Sequence, residues 1–484
     1  MIFNSFSFLV FFSIFFTLYW FVCHKNLKFQ NALLLIGSYV FYAWADWRFL
    51  FFLIGVSTLT YFLGIAIEKQ TKEKTRKLLL SIGLIQGIGC LAFFKYYNFF
   101  IISINDVSHL LNMSFNLKTL NIIVPLGISF FTFRTISYIL DIDKGKIEAT
   151  KDWIVFFNYV SFFPSVLSGP IDKAKLFVPQ LEKKRVYDFN QSADGFRQIL
   201  WGLFKKVVIA DNCALLTNSI FEDYHSLPAS SLVLGSFLYA IQIYADFSGY
   251  SDMAIGFSRL LGFNITKNFD FPFFSQNIAE YWRKWHISLT SWLTEYVFTP
   301  LSISFRDYGK LGLIAAIIIN FTICGIWHGA NWTYILYGFL HGIYFIPLIL
   351  KGTMNKKSKI AKNQVLPNFN EFLNMLGTFI VVMLTMVIFR SETIEKAFDF
   401  YGCLFSTSLF SIPILHLKHS VLGVTLIFIL FMFCIEWLGR NEPYGIASLF
   451  SQKPRLFRWV FYYLIVFFIF VFAASNQQFI YFQF

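Results

Sequence analysis

The sequence predicts an all-α protein that crosses a membrane many times. Of its 484 residues, 57% are hydrophobic and 21% are aromatic, while only 14% are charged. Soluble domains of ordinary composition carry about 25% charged residues. Apolar runs recur along the whole chain between short charged loops, and they predict about 11 to 13 hydrophobic segments. Since we find neither an internal repeat nor a soluble second domain, we expect a single domain over residues 1–484.

The first segments are separated by basic loops. No basic region or small-residue cleavage site precedes Lys25, so we expect a retained first span and not a signal peptide. Lys25 and Lys28 follow this span, and the segment EKQTKEKTRK at 68–77 follows two more spans. Cytoplasmic loops are enriched in Lys and Arg, so these loops are predicted to be cytoplasmic and the N-terminus outside. The other spans are predicted near 30–47, 50–67, 78–99, 120–140, 231–262, 311–350 (two passes), 372–389, 421–438 and 458–474.

Three stretches interrupt this pattern. The apolar piece 153–169 lies between two charged loops and contains Pro164, so we predict a re-entrant or interfacial segment. The basic stretch 172–206 is predicted to end in a helix along the membrane surface. The run 231–262 contains two carboxylates, Asp246 and Asp252, which need partners or water at membrane depth.

The stretch from 281 to 342 contains the residues best suited to chemistry. Its first part, YWRKWHISLTSWLTEYVFTP, places tryptophans three and four residues apart with His286 on the other side, and so predicts an amphipathic surface helix. Its second part, ICGIWHGANWTYILYGFLHG, lies in a run without Asp, Glu, Lys or Arg. His328 stands near the end of a hydrophobic helix there. An ionisable residue within a membrane segment predicts a functional site.

The predicted catalytic residues are His328 and His286. A neutral imidazole accepts a proton from a hydroxyl and later returns it. The two histidines are too far apart in sequence for an HExxH motif and have no third zinc ligand nearby, so we predict no metal, and no GxSxG elbow supports a serine nucleophile. His341 is a third candidate. Candidates for lining the substrate cavity are Asn331, Trp327, Trp332, Trp285, Arg283, Asp246 and Arg134.

Several of these residues have structural alternatives. Asp246 is explained slightly better as a structural partner of Arg259 or of a tryptophan N–H, and Arg134 is also explained as a structural residue. The net charge of +13 is spread over loops, which favours membrane topology over nucleic-acid binding. The six cysteines are scattered singly and are predicted to pack.

The motifs WRKWHISLTSWL, GIWHGANWTYILYGFLHG, YADFSGYSDMAIG and PLGISFFTFRTISYILD resemble those of the membrane-bound O-acyltransferases. The similarity is closest to the bacterial alginate O-acetylation branch, with the D-alanine transfer protein of teichoic acid synthesis as a near relative. The best-matching core is about 120–350, with extra C-terminal spans at about 370–475.

The resemblance implies a helical fold around a central funnel, in which an acyl group passes from a thioester to a hydroxyl. It maps the essential histidine of the family onto His328 and the second histidine onto His286. It implies no bound cofactor, with acetyl-coenzyme A or an acyl carrier protein as donor and a polysaccharide as acceptor. It also implies the bacterial plasma membrane, its lipid and an extracytoplasmic partner protein. The competing interpretations are D-alanine transfer to teichoic acid and a transporter or flippase, although transporters commonly show repeated halves.

Overall fold

A computed structural model of the chain describes residues 1–113, 117–356, 360–362, 364–415, 419–450, 452–474 and 477–480. Within these ranges every regular element is a helix, which confirms the all-α prediction. The chain forms two units by contact clustering. Unit 1 contains Met1–Phe196 and Ala254–Thr266, and unit 2 contains Arg197–Met253 and Lys267–Phe484.

The helices of the first part of the chain range from four to 22 residues, and several continue into a π-helical turn. They are α1 (Phe6–Thr17), α2 (Leu27–Ala43), α3 (Arg48–Lys69), α4 (Glu73–Leu91), α5 (Tyr97–Leu110), α6 (Ile128–Asp143), α7 (Trp153–Ser161), α8 (Phe163–Val166), α9 (Ala174–Glu182), α10 (Phe189–Leu203) and α11 (Asp211–Glu222).

The second part begins with the longest helix and also includes short helices around the histidine motifs. These helices are α12 (Ala229–Leu260), α13 (Ile278–Lys284), α14 (Ile287–Leu293), α15 (Thr299–Ser304), α16 (Gly309–His328), α17 (Trp332–Ile343), α18 (Ile346–Leu350), α19 (Phe369–Arg390), α20 (Ile394–Leu404), α21 (His419–Leu438) and α22 (Arg455–Phe472).

By length and composition, eight helices of the described chain can cross a membrane, and Phe6–Val22 is a shorter apolar helix. The protein is therefore a multi-pass membrane protein. The eight are Arg48–Lys69, Glu73–Leu110, Ala229–Leu260, Arg306–His328, Trp332–Leu350, Phe369–Arg390, His419–Leu438 and Arg455–Phe472.

Two boundaries of the spans predicted near 78–99 and 120–140 are wrong. The chain is helical as far as Leu110, well beyond the predicted end of the first of these spans, and the second begins only at Ile128. Gly127 precedes that helix with a positive φ of 73°, and a Cβ there would collide with the Val166 carbonyl. Because Gly127 is left-handed, the helix starts after it, and α6 is shorter than the apolar run predicts.

The interrupted segment 153–169 forms two short helices within unit 1. They break at Phe162, two residues before Pro164, and both are too short to cross a membrane. The carbonyls left open by the break are bound by Arg134. Its guanidinium donates to the carbonyls of Tyr159 and Val160, and also to the Ser165 hydroxyl and the Pro170 carbonyl. Arg134 is thus a structural centre of unit 1.

The basic stretch 172–206 contains buried as well as exposed cations. Arg185 is buried and donates to the Gln30 and Asn31 side-chain oxygens at 3.1 and 2.6 Å. Lys205 and Lys206 are also buried, each beside a carboxylate. Buried cations must be paired because desolvation otherwise costs several kcal/mol. Only part of the stretch, including Lys183 and Lys184, is exposed.

Candidate active site

His286 occupies a backbone break in unit 2, and the prediction of one continuous amphipathic helix is wrong. Helix α13 ends at Lys284 and α14 starts at Ile287, while His286 itself has φ 45° and ψ 52°. This left-handed conformation is uncommon for a residue with a side chain and needs support from its surroundings. The support includes the bond from the Ile287 N–H to the Asn268 carbonyl, at 2.9 Å.

The break turns the His286 ring into the protein. The residue has no exposed surface, in contrast to the solvated position that the helical pattern predicts. Its Nδ1 lies 3.0 Å from Oδ1 of Asn268. The ring of Phe247 packs edge-on against it with centroids 4.7 Å apart, and Trp327 lies at 5.6 Å. The ring is therefore held on several sides.

His328 is the last residue of α16 and is 3% exposed. Its ring lies edge-on to Trp327, Phe389 and Tyr337 at centroid distances of 5.1, 5.2 and 6.3 Å. The helix ends here because Gly329 adopts an extended conformation. His328 thus lies in an aromatic environment at the junction of two helices.

The two helices at this junction approach closely through Gly325 and Gly338. A Cβ on Gly325 would collide with the Tyr334 carbonyl, and one on Gly338 with the Phe321 carbonyl. Small residues allow two helix backbones to pack tightly in membranes. The position of His328 relative to α17 is consequently set by backbone contact.

Trp327 contacts both predicted catalytic histidines, as the ring distances above show. Burial lowers the pKa of His286 well below its ordinary value of 6.5, and the nearby His328 lowers this pKa further. His286 is therefore neutral at pH 7. A buried, neutral imidazole beside a second histidine can exchange protons with a bound hydroxyl.

His341, the third histidine candidate, has its Nδ1 occupied. The indole N–H of Trp282 donates to this nitrogen at 3.2 Å, and the ring packs on Tyr337 at 4.5 Å. A neutral ring that accepts at Nδ1 carries its proton at Nε2. Among the described residues Nε2 has no hydrogen-bond partner. His341 can therefore donate a hydrogen bond but is poorly suited to be the base.

The residues that follow His328 have structural positions. Asn331 is not on the helix of His328 but caps α17, accepting from the Thr333 N–H at 3.0 Å and donating to the Glu392 carbonyl at 2.7 Å. Trp332 is 52% exposed. Because Asn331 is committed to the backbone and Trp332 faces outward, neither fits the predicted role in the cavity.

The acidic candidate Asp246 pairs with Lys206, with Nζ and Oδ1 2.8 Å apart, and accepts from the Ile480 N–H at 2.8 Å. The predicted partners, Arg259 and a tryptophan, are wrong, since Arg259 pairs with Asp194. Asp246 immediately precedes Phe247 in α12, so its ion pair helps to fix the ring that packs on His286.

Two other candidates lie on either side of Lys284. Trp285 is buried and stacks on Tyr281, with centroids 5.4 Å apart. Arg283 donates to the Met354 carbonyl at 3.0 Å and lines a cavity of about 520 Å³. This cavity is bounded by α13 to α16, and its lining includes Ile287, the residue after His286. Arg283 lines this cavity, whereas Trp285 is not part of its lining.

The same cavity contains a buried polar atom on its α16 side. Asn320 is 6% exposed, and within the described residues its Oδ1 has no hydrogen-bond partner. An unsatisfied buried acceptor costs about 1–3 kcal/mol. Trp282 and Cys324 also line this space.

A surface group outside this centre has metal-binding residue types. Within the described ranges, the side chains close enough to share an ion are His225, Asp399 and Cys403. Neither His286 nor His328 belongs to the group. The absence of a metal at the two histidines stays a prediction.

Sequence reasoning missed the residues that hold the two rings. Asn268 and Phe247 support His286, and Tyr337 and Phe389 surround His328. Asn268 precedes His286 by 18 residues without a periodic relation. The only available signal was the departure from helical pattern in NITKNFDFPFF.

Comparison with known proteins identifies the family of the chain. The model of the membrane-bound O-acyltransferase family matches residues 149–390. The chain is 36% identical over 414 residues to a probable alginate O-acetylase of Pseudomonas aeruginosa, covering 84% of this chain and 75% of that protein. The chain belongs to the membrane-bound O-acyltransferase family.

Two further acyltransferases show how the family varies. The chain is 32% identical over 401 residues to the peptidoglycan O-acetyltransferase of Helicobacter pylori, covering 77% of this chain and 73% of that protein. It is 33% identical over 292 residues to the teichoic acid D-alanyltransferase of Streptococcus thermophilus, covering 54% of this chain and 68% of that protein. This O-acyltransferase is therefore similar to proteins with different acyl groups and acceptors.

The matched part of the O-acyltransferase sequence contains the histidine centre. Residues 149–390 include Asn268, His286, Trp327 and His328. Helices α20 to α22 lie beyond it. Family membership also makes the protein an enzyme, which argues against the transporter interpretation.

Proposed function

We propose that this O-acyltransferase moves an acetyl group from a thioester donor to hydroxyls of a cell-envelope or exported polysaccharide, with His328 as general base. The observation that carries the proposal is the packing of two buried histidines against one tryptophan, Trp327, inside the family-matched region. The similarity to alginate and peptidoglycan O-acetylating proteins supports acetyl as the group and a polysaccharide as the acceptor.

The reaction needs a base because an alcohol is a poor nucleophile at neutral pH. His328 takes the hydroxyl proton as the oxygen attacks the thioester carbonyl. The carbon–sulfur bond then breaks, and the proton returns to the thiolate, so the products are an ester and a thiol. His286 is the second histidine of the pair and orients the reacting groups. No net proton is consumed.

The donor of the proposed reaction is acetyl-coenzyme A or an acyl carrier protein, both of which are anionic. The exposed Lys183 and Lys184 support electrostatic attraction of such a donor. The neighbouring Arg185 does not contribute to this attraction, since its buried guanidinium donates hydrogen bonds to Gln30 and Asn31. The proposed setting is the bacterial plasma membrane, where an extracytoplasmic partner protein delivers or receives the polysaccharide.

The second candidate is D-alanine transfer to teichoic acid. The similarity to the teichoic acid D-alanyltransferase of Streptococcus thermophilus favours it, although that similarity covers only 54% of the chain. The acetylating relatives cover more of this chain. The two candidates share the histidine chemistry and differ in the acyl group.

The deciding experiment measures ester formation in cells that carry wild-type protein or His328→Gln at matched membrane levels. Cells receive radiolabelled acetate or radiolabelled D-alanine, and base-labile label is counted in the envelope polysaccharide. We expect acetyl label with the wild type and about 100-fold less with His328→Gln, since a general base contributes at least that much.

The control is His225→Gln, a histidine whose side chain is 66% exposed, which should retain full labelling. Label from D-alanine in place of acetate would select the second candidate. Undiminished acetyl label in His328→Gln would overturn the assignment of the base.

A further inference from the structure

Catalytic use of His286 depends on which ring nitrogen carries its proton. A neutral imidazole has one N–H donor and one acceptor nitrogen, and the partner of one nitrogen decides the state of the other. In this structure Nδ1 of His286 lies 3.0 Å from the side-chain oxygen of Asn268. The orientation of that amide therefore determines what His286 offers to a substrate.

The amide of Asn268 has only one acceptable orientation. Its Oδ1 lies 3.3 Å from the backbone N–H of Ser288 and 2.9 Å from the Ser288 hydroxyl. Its Nδ2 donates to the hydroxyl of Ser251 at 3.0 Å. A backbone N–H can only donate, so a flipped amide would place its NH₂ group against another donor. The atom that faces His286 is thus an acceptor.

His286 must consequently donate from Nδ1 to Oδ1 of Asn268, across 3.0 Å. The ring cannot easily turn away, because Phe247 and Trp327 pack against it. Asn268 also fixes the backbone, since its own carbonyl accepts from the Ile287 N–H. One residue therefore holds both the chain and the ring of His286.

We propose that Asn268 is a positioning residue that holds His286 in the tautomer protonated at Nδ1, so that His286 enters the reaction as a hydrogen-bond acceptor at Nε2. This inference rests on the proposed acyl transfer for its role but not for its geometry. In this state His286 can accept a hydrogen bond from the acceptor hydroxyl. A neutral His286 in this tautomer cannot donate to the oxyanion of the attacked carbonyl.

The neighbouring His341 is in the opposite state, which makes the assignment specific. Trp282 donates to Nδ1 of His341, so that ring has its N–H at Nε2. The two histidines are equally buried. Their different partners, an acceptor amide and a donor indole, give one ring an accepting Nε2 and the other a donating Nε2.

The first test is spectroscopic and needs no substrate. Full-length protein labelled with ¹⁵N-histidine is purified into lipid nanodiscs, and the signals of the eight histidines are recorded by ¹⁵N NMR near neutral pH. His286→Gln identifies the His286 signal by its loss. We expect a protonated Nδ1 and an unprotonated Nε2 for His286 in the wild type.

Three variants test whether Asn268 causes this state. Asn268→Ala removes the acceptor, so both tautomers of His286 should be populated. Asn268→Asp keeps an acceptor and should preserve the proton at Nδ1. The control is Asn212→Ala, which deletes an amide that donates to the Val208 and Phe472 carbonyls and should leave the signal unchanged. A wild-type ring protonated at Nε2, or an unchanged tautomer in Asn268→Ala, would overturn the proposal.

The second test follows ester formation in membrane vesicles given radiolabelled acetyl-coenzyme A. We expect Asn268→Ala to lower the maximal rate about tenfold or more, because His286 would no longer present a fixed hydrogen-bond acceptor to the hydroxyl that His328 deprotonates. Asn268→Asp should retain most of this rate near pH 8. Its carboxylate favours the protonated ring, so activity should be lost at a higher pH than in the wild type as the pH falls.

These results separate positioning from simple structural support. Equal losses in Asn268→Ala and Asn268→Asp, with an unshifted pH profile, would show a structural role and overturn the inference. Vesicles of the wild type that form no acetyl ester would count against the proposed function. In that case the NMR comparison would still decide the tautomer and its dependence on Asn268.

Discussion

Among the described residues, one helix break in unit 1 is bound by a buried polar side chain and one in unit 2 contains such a side chain, and the two side chains are used differently. In unit 1 the break at Phe162 is bound by Arg134, which donates to three carbonyls and a hydroxyl. In unit 2 the break contains His286, whose ring meets Asn268 and two aromatic rings. The guanidinium of Arg134 is permanently charged and satisfies backbone carbonyls in unit 1. The imidazole of His286 in unit 2 is neutral and can still gain or lose a proton.

The comparison shows that burial of a polar residue does not by itself indicate function. Both residues are nearly inaccessible, with 1% exposure for Arg134 and none for His286. The useful distinction is the chemistry of their partners. Carbonyl acceptors make Arg134 a structural residue, whereas His286 contacts an orienting amide and lies near a second histidine, which suits the positioning role proposed for it.

The largest expected effect is the loss of stability in Arg134→Met. Removing the guanidinium leaves several buried acceptors without donors and should cost about 3 to 5 kcal/mol. The measurement is the unfolding midpoint of purified protein in detergent, together with the folded yield from membranes. The control is Arg48→Met, because the side chain of Arg48 is 60% exposed and pairs at the surface with Asp46. If the two variants unfolded alike, Arg134 would not be a structural centre.

A smaller effect on stability and a large effect on activity are expected for His286→Gln. The variant loses one hydrogen bond to Asn268, about 1 kcal/mol, but should lower ester formation roughly 100-fold. Unfolding midpoints and ester formation are measured on the same preparations. Loss of folding comparable to that of Arg134→Met would remove the distinction between the two breaks.

The sequence predicted the helical membrane class well because hydrophobic runs depend only on local composition. It also singled out His286, Trp327 and His328 as candidates, since polar residues in apolar runs are conspicuous, and their catalytic role stays a prediction. It failed at the backbone of His286, because helical spacing continues through WRKWHISL although the chain breaks there. Periodicity reports where side chains would point in a regular helix and does not report a left-handed residue held by a distant amide.

The partners of the predicted residues were the least predictable part. Asp246 pairs with Lys206, not with Arg259, and Asn331 caps a helix. Such pairings depend on which helices become neighbours, and this is a long-range property. The lysines of 172–206 are similar in this respect. A basic run in the sequence indicates charge, but it does not indicate which lysines are exposed and which are buried.

The pH dependence of stability should further distinguish His286 from Arg134. Burial lowers the pKa of His286, with a contribution from His328, so below pH 6.5 the unfolded chain binds this proton more readily than the folded protein does. The stabilisation is fully present above pH 6.5 and is lost as the pH falls, by up to about 1.4 kcal/mol per pH unit. Unfolding midpoints between about pH 5 and 7.5 should therefore fall more steeply for the wild type than for His286→Gln. Parallel curves would contradict a buried neutral ring.

The smallest expected effect tests whether unit 1 does more than provide structure. Charge reversal at the exposed Lys183 and Lys184 should raise the donor concentration needed for half-maximal ester formation by about two- to fivefold, because surface charges mainly affect encounter. The maximal rate should not change, and added salt should remove the difference by screening. The matched control reverses Lys72 and Lys74, which are exposed in another basic segment. An equal effect of both pairs would indicate a general dependence on membrane charge, whereas no effect of either would leave unit 1 with the structural role that Arg134 exemplifies.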